Sequence, residues 1–309
     1  MRRTGTPLVS VAMCTYNGQE FLSAQLGTII SQDYENLEII IVDDCSADVT
    51  WDVLQRFAEM DRRVKLYRNK RNIGYIRNFE RAIKLCKGEL IALADQDDIW
   101  EPTKISEMVE AIGDNIMVYH DSDFIDENSQ RIGDETMSSK FRMYEGQSCI
   151  PFIVANCISG HATLFKRKLI KYIFPFASDN YHDWWISYVA FNVGTVKYLN
   201  KILVHYRQHR NSVTDSLELR HTAPPKKTKA DRLGIDLTWL SNCARYRYNK
   251  DSHLISAACD VLVNLKEGKN KFKSLVFLVK YFDLVFYFSK RKQRSFLSKV
   301  NYIRKLCYN

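Results

Sequence analysis

The sequence predicts an α/β fold, a mostly parallel sheet with helices on both faces, followed by a C-terminal helical module. Short apolar, β-rich runs alternate with segments of helical spacing through the N-terminal third, and the runs end in polar or acidic residues. Beyond a Pro- and Lys-containing stretch, the pattern changes to longer helical segments rich in aromatics.

Residues 8–14 form the first strand, and the polar turn Thr15-Tyr16-Asn17-Gly18 leads into a helix over 20–31. The unit repeats with a strand at 37–42, closing at Asp43-Asp44-Cys45-Ser46, and a helix at 49–60. A third strand at 64–67, a helix at 76–86 and a fourth strand at 89–94 continue it. Strands joined by helices imply a parallel sheet whose ligands gather at the carboxyl strand ends, where this chain collects its polar residues. Residues 124–150 read as irregular; apolar runs resume at 151–165, with a helix at 183–191 and a strand at 201–206. The division expected is one α/β unit at 1–215, in two halves at 1–123 and 124–215. A linker at 216–231 and a helical module at 232–309 follow, with helices at 233–265 and 272–288.

Apolar residues make up 46% of the 309 and charged residues 26%, enough for a sizeable core. The net charge of +9 is unevenly spread: residues 221–309 hold 19 Lys/Arg against 6 Asp/Glu, or +13, leaving 26 against 30, or −4, before them. The charge therefore favours an anionic surface at the C-terminal end over a basic nucleic-acid groove in the unit before it. The 272–288 segment is too short, and too interrupted by Lys280 and Asp283, to span a membrane. Either it lies in the membrane interface, as its many aromatics beside many cations favour, or it packs on the α/β unit with a solvated basic face. Eight scattered cysteines without a CxxC pair read as reduced and not zinc-binding. With no apolar run before Pro7, a signal peptide is not expected and the active site is placed in the cytoplasm.

Asp95-Gln96-Asp97-Asp98 directly follows the fourth strand. Three carboxylates so close repel unless a cation joins them, and oxygen ligands suit Mg²⁺ or Mn²⁺. The plainer reading is an acidic turn capping the helix that starts near Thr103. Asp43-Asp44 ends the second strand on the same sheet edge and can accept from a nucleobase or ribose, or cap the next helix with Ser46. No GxGxxG or GxxxxGK[ST] follows any strand, so phosphate must be neutralised by metal and cations.

In this order the features resemble family 2 glycosyltransferases with the GT-A fold. The resemblance rests on Val9-Ser10-Val11-Ala12-Met13-Cys14-Thr15-Tyr16-Asn17, Ile41-Val42-Asp43-Asp44-Cys45-Ser46, Asn72-Ile73-Gly74 with Arg77-Asn78, and Gly88-Glu89-Leu90-Ile91 before Asp95-Gln96-Asp97. It continues through Gly160-His161, His182-Asp183-Trp184-Trp185 and His205-Tyr206-Arg207-Gln208-His209-Arg210-Asn211, covering roughly residues 7–215. Gln96-Asp97-Asp98-Ile99-Trp100 and the Asp-Trp-Trp run are most similar to the rhamnosyltransferase-like subgroup of surface polysaccharide assembly.

The resemblance implies a metal-dependent inverting transferase taking a UDP- or dTDP-linked sugar to a growing, lipid-linked glycan, with residues 1–215 as its catalytic domain, 1–123 the donor half and 124–215 the acceptor half. Donor contacts fall to Thr15, Tyr16, Asn17, Asp43, Asp44, Asn72, Gly74, Arg77, Asn78, Asp95 and Gln96. Asp97 holds the Mn²⁺ or Mg²⁺, with His209 as a further ligand or a diphosphate contact. Asp183 is the general base, a role compatible in position with capping the helix that begins at Trp184. Gly160, His161, Trp184 and Trp185 mark the acceptor side; of the two tryptophans, one is expected to stack on substrate and the other to pack. Arg207 is a candidate phosphate contact, and His205 a structural histidine. A sugar nucleotidyltransferase would need a Gly-rich loop with a following cation after the first strand, which Thr15-Tyr16-Asn17-Gly18 does not supply. An inactive scaffold would be marked by loss of Asp97 or Asp183, and both are present.

Overall fold

The computed structural model describes residues 5–176, 181–210, 236–288 and 295–308. Nine strands form one sheet: β1 Val9–Thr15, β2 Leu37–Asp43, β3 Val64–Arg68, β4 Leu90–Ala94, β5 Ile99–Trp100, β6 Met117–Ile125, β7 Arg131–Thr136, β8 Thr163–Lys166 and β9 Val196–Arg207. Their order is β3-β2-β1-β4-β8-β6-β9-β5, with β7 paired to β6. The donor half carries the expected parallel sheet through β1–β4. The acceptor half mixes directions, because β8 runs antiparallel to both β4 and β6 while β6 and β9 are parallel.

Side chains of the parallel strands alternate between two apolar layers, as a sheet buried on both faces requires. Val9, Val11, Met13, Ile39 and Ile41 face one core with Leu22, Leu26 and Ile29 of α1 (Leu22–Ile30), Val53 and Leu54 of α2 (Thr50–Met60), and Ile105 and Met108 of α4 (Lys104–Ile112). Ala12, Cys14, Ile40, Val42, Ile91 and Leu93 face the other, with Phe79, Ala82 and Ile83 of α3 (Tyr75–Leu85). Residues 124–150, expected to be irregular, contain the end of β6, a turn at Ser129 with φ of 62°, strand β7 and the short helix α5 (Met137–Lys140). Strand β7, reading Arg-Ile-Gly-Asp-Glu-Thr, is largely exposed and so lacks the apolar alternation that marks a strand in sequence.

The second core is completed by α6 (Ile170–Ile173), α7 (His182–Val193) and the C-terminal helices α8 (Leu237–Arg245), α9 (Ser252–Glu267), α10 (Lys271–Lys280), α11 (Phe282–Val285) and α12 (Phe296–Tyr308). The linker expected at 216–231 lies outside the described residues. The helix expected over 233–265 is broken between Tyr246 and Asp251, where the Asn249 carboxamide donates to the Cys243 carbonyl at 2.7 Å and accepts from the Tyr188 hydroxyl at 2.7 Å. That amide satisfies an orphan carbonyl of the helix end and ties α8 to α7. The helix expected over 272–288 likewise breaks at Tyr281, and Leu278, Phe282 and Val285 are buried against the acceptor half. Part of the segment proposed for the membrane interface therefore packs inward.

Trp239 of α8 is fully enclosed and donates its indole N–H to the Phe152 carbonyl at 3.1 Å. Trp239→Ala is expected to destabilise the protein by about 3–5 kcal/mol, the usual cost of emptying such a site. Urea unfolding followed by tryptophan fluorescence checks this: one cooperative transition should shift as a whole. A first transition that moves alone would show that the C-terminal helices fold separately.

Candidate active site

The carboxyl ends of β1, β2 and β4 open onto one cavity of about 830 Å³. One wall is built from loops clamped together by hydrogen bonds. The Gln96 carboxamide accepts from Tyr16 N at 2.9 Å and donates to Tyr16 O at 3.2 Å, fixing the first loop to the acidic motif. Gly18 lies so close under this amide that a Cβ there would collide with it. Asn17, at φ 46°, accepts from Ala47 N and takes the Ser46 hydroxyl on its own N–H, which joins the first and second loops. Asp44 accepts from Ile73 N and Gly74 N, both at 2.9 Å, and from the Asn69 amide at 2.6 Å. It thus holds the start of α3, not of α2, and positions Asn72 and Asn78 on the cavity wall. Thr15, Tyr16, Asp44, Asn72, Gly74, Asn78, Asp95, Gln96 and Asp97 all line this space.

Three expected donor contacts sit elsewhere. Asp43 is fully buried, its carboxylate taken by Ser46, by Thr15 Oγ1 at 3.2 Å and by Arg68 Nε at 3.2 Å, so it braces the loop beneath the cavity. Asn17 is the link between loops just described. Arg77 pairs with Glu80 at 2.7 Å on the exposed side of α3. Arg207, a candidate phosphate contact, is buried and donates from its guanidinium to the carbonyls of Asp97 at 2.7 Å and Asp126 at 2.6 Å, and to Ser129 Oγ at 3.0 Å.

The acidic motif does not cap α4, whose cap position is Thr103. Asp97 faces the cavity, with its Oδ2 2.9 Å from His209 Nε2. Beneath it, donor atoms of Asp95, Asp98 and His161 lie within 4.8 Å of one another, and His161 Nδ1 stands 3.6 Å from an oxygen of each carboxylate. Asp98 Oδ2 is buried without a hydrogen-bond partner. Carboxylate oxygens with imidazole nitrogens and an unsatisfied buried acceptor fit Mg²⁺ or Mn²⁺. Asp95, Asp97 and His161 line the cavity, Asp98 is enclosed, and His209 adjoins Asp97, so a cation could be held either within the Asp95–Asp98–His161 group or between Asp97 and His209.

The cluster carries its own compensation. Lys104 is wholly buried, donating from Nζ to the His161 carbonyl at 2.6 Å and lying 3.2 Å from the Trp100 ring centre. Burial pushes the Lys104 ammonium well below its ordinary pKa, against the attraction of Asp98 and Asp95. Burial and the charges of Asp97 and Asp95 push the Asp98 carboxyl well up. Asp95 moves the other way: burial would raise it, but His161, His182 and Lys104 outweigh burial and hold it low. His161, expected as an acceptor contact, belongs to this network, with Nε2 3.0 Å from Ser122 Oγ and its ring against Tyr206. His205 is structural as expected, bridging Asp123 at 2.6 Å and Glu101 at 2.9 Å.

Asp183 enters the same cavity from the first turn of α7. Its Oδ1 accepts from Trp184 N at 2.6 Å, and the cap position of the helix is Tyr181, so Asp183 is not the N-cap. Burial pushes its carboxyl up to about 7; the Trp184 N–H opposes the shift and the Asp95 charge adds to it. Of the tryptophan pair, Trp184 lines the cavity and donates to the Phe152 carbonyl at 2.7 Å, while Trp185 is core, packed against Tyr188, Trp239 and Tyr246. Gly160 also lines the cavity, and a Cβ there would come to 3.0 Å from His182 Nε2.

Sequence reasoning missed the aromatic wall of Tyr75, Phe79, Tyr181 and His182, in which His182 stacks on Phe79 at 4.0 Å. The four-residue spacing of Tyr75 and Phe79 on α3 was the available signal.

The pattern of "Glycosyl transferase family 2" matches residues 10–174. An uncharacterized glycosyltransferase of Haemophilus influenzae is 26% identical over 96% of this chain and 98% of its own length. The Escherichia coli UDP-Glc:alpha-D-GlcNAc-diphosphoundecaprenol beta-1,3-glucosyltransferase WfaP is 28% identical over 67% of this chain and 80% of its own. S. aureus TarS 1–349 in complex with UDP-GlcNAc superposes with a TM-score of 0.58 at 15% identity, over 90% of this chain and 81% of that one, a likeness of fold. With the family pattern spanning more than half of the chain and this GT-A type of sheet beneath it, the chain belongs to glycosyl transferase family 2.

Proposed function

We propose that the chain is an inverting glycosyltransferase that moves a hexose or rhamnose from a UDP- or dTDP-linked donor to a growing, lipid-linked surface glycan. The observation that carries the reading is the opening of Asp97 and Asp183 into one cavity, the first 2.9 Å from His209 and the second with its carboxyl raised to about 7 by burial. The acceptor class is supported by the E. coli relative whose acceptor is named as a diphosphoundecaprenol. With such an acceptor the proposed site of work is the inner face of the cell membrane. Among the described residues no helix is long and apolar enough to cross a membrane.

The donor rests against the Thr15–Tyr16 loop and the Asp44–Asn72 corner, which the Gln96 clamp holds in register with Asp97. Asp97 and His209 would hold Mg²⁺ or Mn²⁺, whose Lewis acidity stabilises the departing diphosphate. Asp183, ionised, takes the proton of the acceptor hydroxyl as the oxygen attacks the anomeric carbon from the face opposite the diphosphate. A single in-line displacement of this kind inverts the anomeric centre. Trp184 offers an apolar face beside the base, suited to a sugar ring.

The test is nucleoside diphosphate release from a panel of UDP-glucose, UDP-GlcNAc and dTDP-rhamnose with Mn²⁺ and a lipid-linked acceptor; silence across the panel removes the reading. Asp97→Asn should abolish turnover and metal-dependent nucleotide binding by calorimetry. If the unaltered protein works fully in EDTA, the metal leaves the mechanism.

Asp183→Asn should lower kcat by about 10² to 10⁴ with donor affinity almost unchanged. Because the free-enzyme carboxyl is raised to about 7, Asp183 is protonated below that pH and unable to accept. The profile of kcat/KM should therefore climb with pH through the neutral range and level off above it. A flat profile from pH 5 to 8, or near-normal turnover by the folded Asn variant, would take the base away from Asp183.

A further inference from the structure

Helices α10 and α12 lie side by side and antiparallel. Lys271, at the start of α10, has its Nζ 5.8 Å from the Tyr308 ring centre at the end of α12. Lys299, in the first turns of α12, reaches Asp283 at 2.5 Å just beyond the other end of α10. The inward face of the pair, with Ser274, Leu278, Ile303 and Cys307, is buried. The outward face and the free N-terminal end of α12 leave large apolar groups in water: Phe272 is 70% exposed, Val276 54% and Leu297 78% on the outward stripes, and Phe296 67% at the first position of α12. Large apolar groups scattered singly over a surface are ordinary, but these four share one helix pair.

Cations interleave with them. Lys271, Lys273, Lys280, Arg304 and Lys305 are all exposed on the same two helices. Between residues 271 and 309 the one acidic side chain is Asp283, and Lys299 is its partner. Leu297, Asn301, Arg304 and Tyr308 follow the four-three-four spacing of a single helical stripe, as do Phe272 and Val276. The pair is 10 and 13 residues long, or roughly 15 and 20 Å, so it can lie on a surface but not cross it.

We propose that the outward face of α10 and α12 docks on an anionic lipid bilayer. Phe272, Val276, Phe296 and Leu297 enter the headgroup region, and the five cations meet acidic headgroups. Charge decides the occupant: a face with cations of one sign repels a second copy of itself, whereas a bilayer supplies negative charge and an apolar layer together. The inference deepens the reading of a lipid-linked acceptor, since it names the surface that would bring the enzyme to it, but its test needs no catalysis.

The full chain is floated with phosphatidylcholine vesicles and with vesicles in which a third of the lipid is phosphatidylglycerol. Binding should require the acidic lipid and fall steeply with salt. Phe272→Ser with Leu297→Ser should weaken it about tenfold or more, because each side chain loses its transfer from water. Lys273→Glu with Arg304→Glu should remove most of the preference for acidic lipid. All four positions are exposed and outside the catalytic cavity, so circular dichroism and donor-sugar turnover in solution should stay unchanged. Equal binding to both vesicles, or no binding at low salt, overturns the proposal. So does concentration-dependent self-association that the variants abolish, which would make the face an interface between copies. Intact vesicle binding in a protein that consumes no nucleotide sugar would sink the proposed reaction and leave this surface standing.

Discussion

The arrangement of the whole site follows from placing three carboxylates at the end of one buried strand. Asp95, Asp97 and Asp98 cannot coexist there as free charges, so structure distant in sequence is drawn in to meet them. The N–H of Arg207 on β9 donates to Asp98 at 3.0 Å, its guanidinium holds the Asp97 carbonyl, and Lys104 and His161 approach from α4 and the loop before β8. These contacts join the parallel strands β1–β4 to the mixed part of the sheet at the edge of the cavity. Burying such ions is expensive, and removing one partner leaves the others uncompensated. The network is therefore better understood as fixing the geometry of Asp97 than as a source of stability.

Opposite walls of the cavity are held by different physics. Loops on the donor side are pinned by directional bonds: Gln96 to Tyr16, Asn17 to Ala47 and Ser46, Asp44 to Ile73 and Gly74. On the acceptor side, packing takes over. Trp184 and Trp239 both donate to the Phe152 carbonyl, and their rings lie 4.7 Å apart, so the C-terminal helices back the wall that contains Asp183. The water excluded by this packing is what raises the Asp183 carboxyl.

Features set by short-range pattern were legible in sequence, and those set by long-range contact were not. Strands β1, β2, β3 and β4 each present a compact apolar run, and the observed bounds differ from expectation by a residue or two. That the acidic motif ends a strand at the cavity was legible from its local order, and Asp183 was singled out by the family resemblance; both line the cavity. By contrast, the burial of Arg207 depends on carbonyls of Asp97 and Asp126, far from it along the chain. The enclosure of Asp43, the inward turn of Trp185 and the absorption of His161 into the carboxylate network have the same origin. Each is a polar or aromatic side chain whose partner only the folded topology supplies. The helix breaks near Asn249 and Tyr281 escaped notice because apolar spacing persists through them, while the bonds that end the helices come from Tyr188 and from the helix backbone itself.

Asp183 shows how one residue type can satisfy two demands that pull its chemistry apart. In the first turn of α7, an N–H and the positive end of the helix dipole stabilise the carboxylate, and that environment alone would hold its pKa low and make it a poor base. Enclosure between Gly160 and the aromatic wall acts in the opposite sense, as does the Asp95 charge, and the sum brings the carboxyl up to about 7. An asparagine would keep the first contact and lose the titration; a carboxylate in open solvent would accept protons weakly at neutral pH. The position needs a group oriented by the helix yet starved of water. The aromatic lining that Asp183 shares, Tyr75 and Phe79 of α3 with His182 and Trp184 of α7, provides that second condition, and the contact of Trp184 with Trp239 backs it with the C-terminal helices.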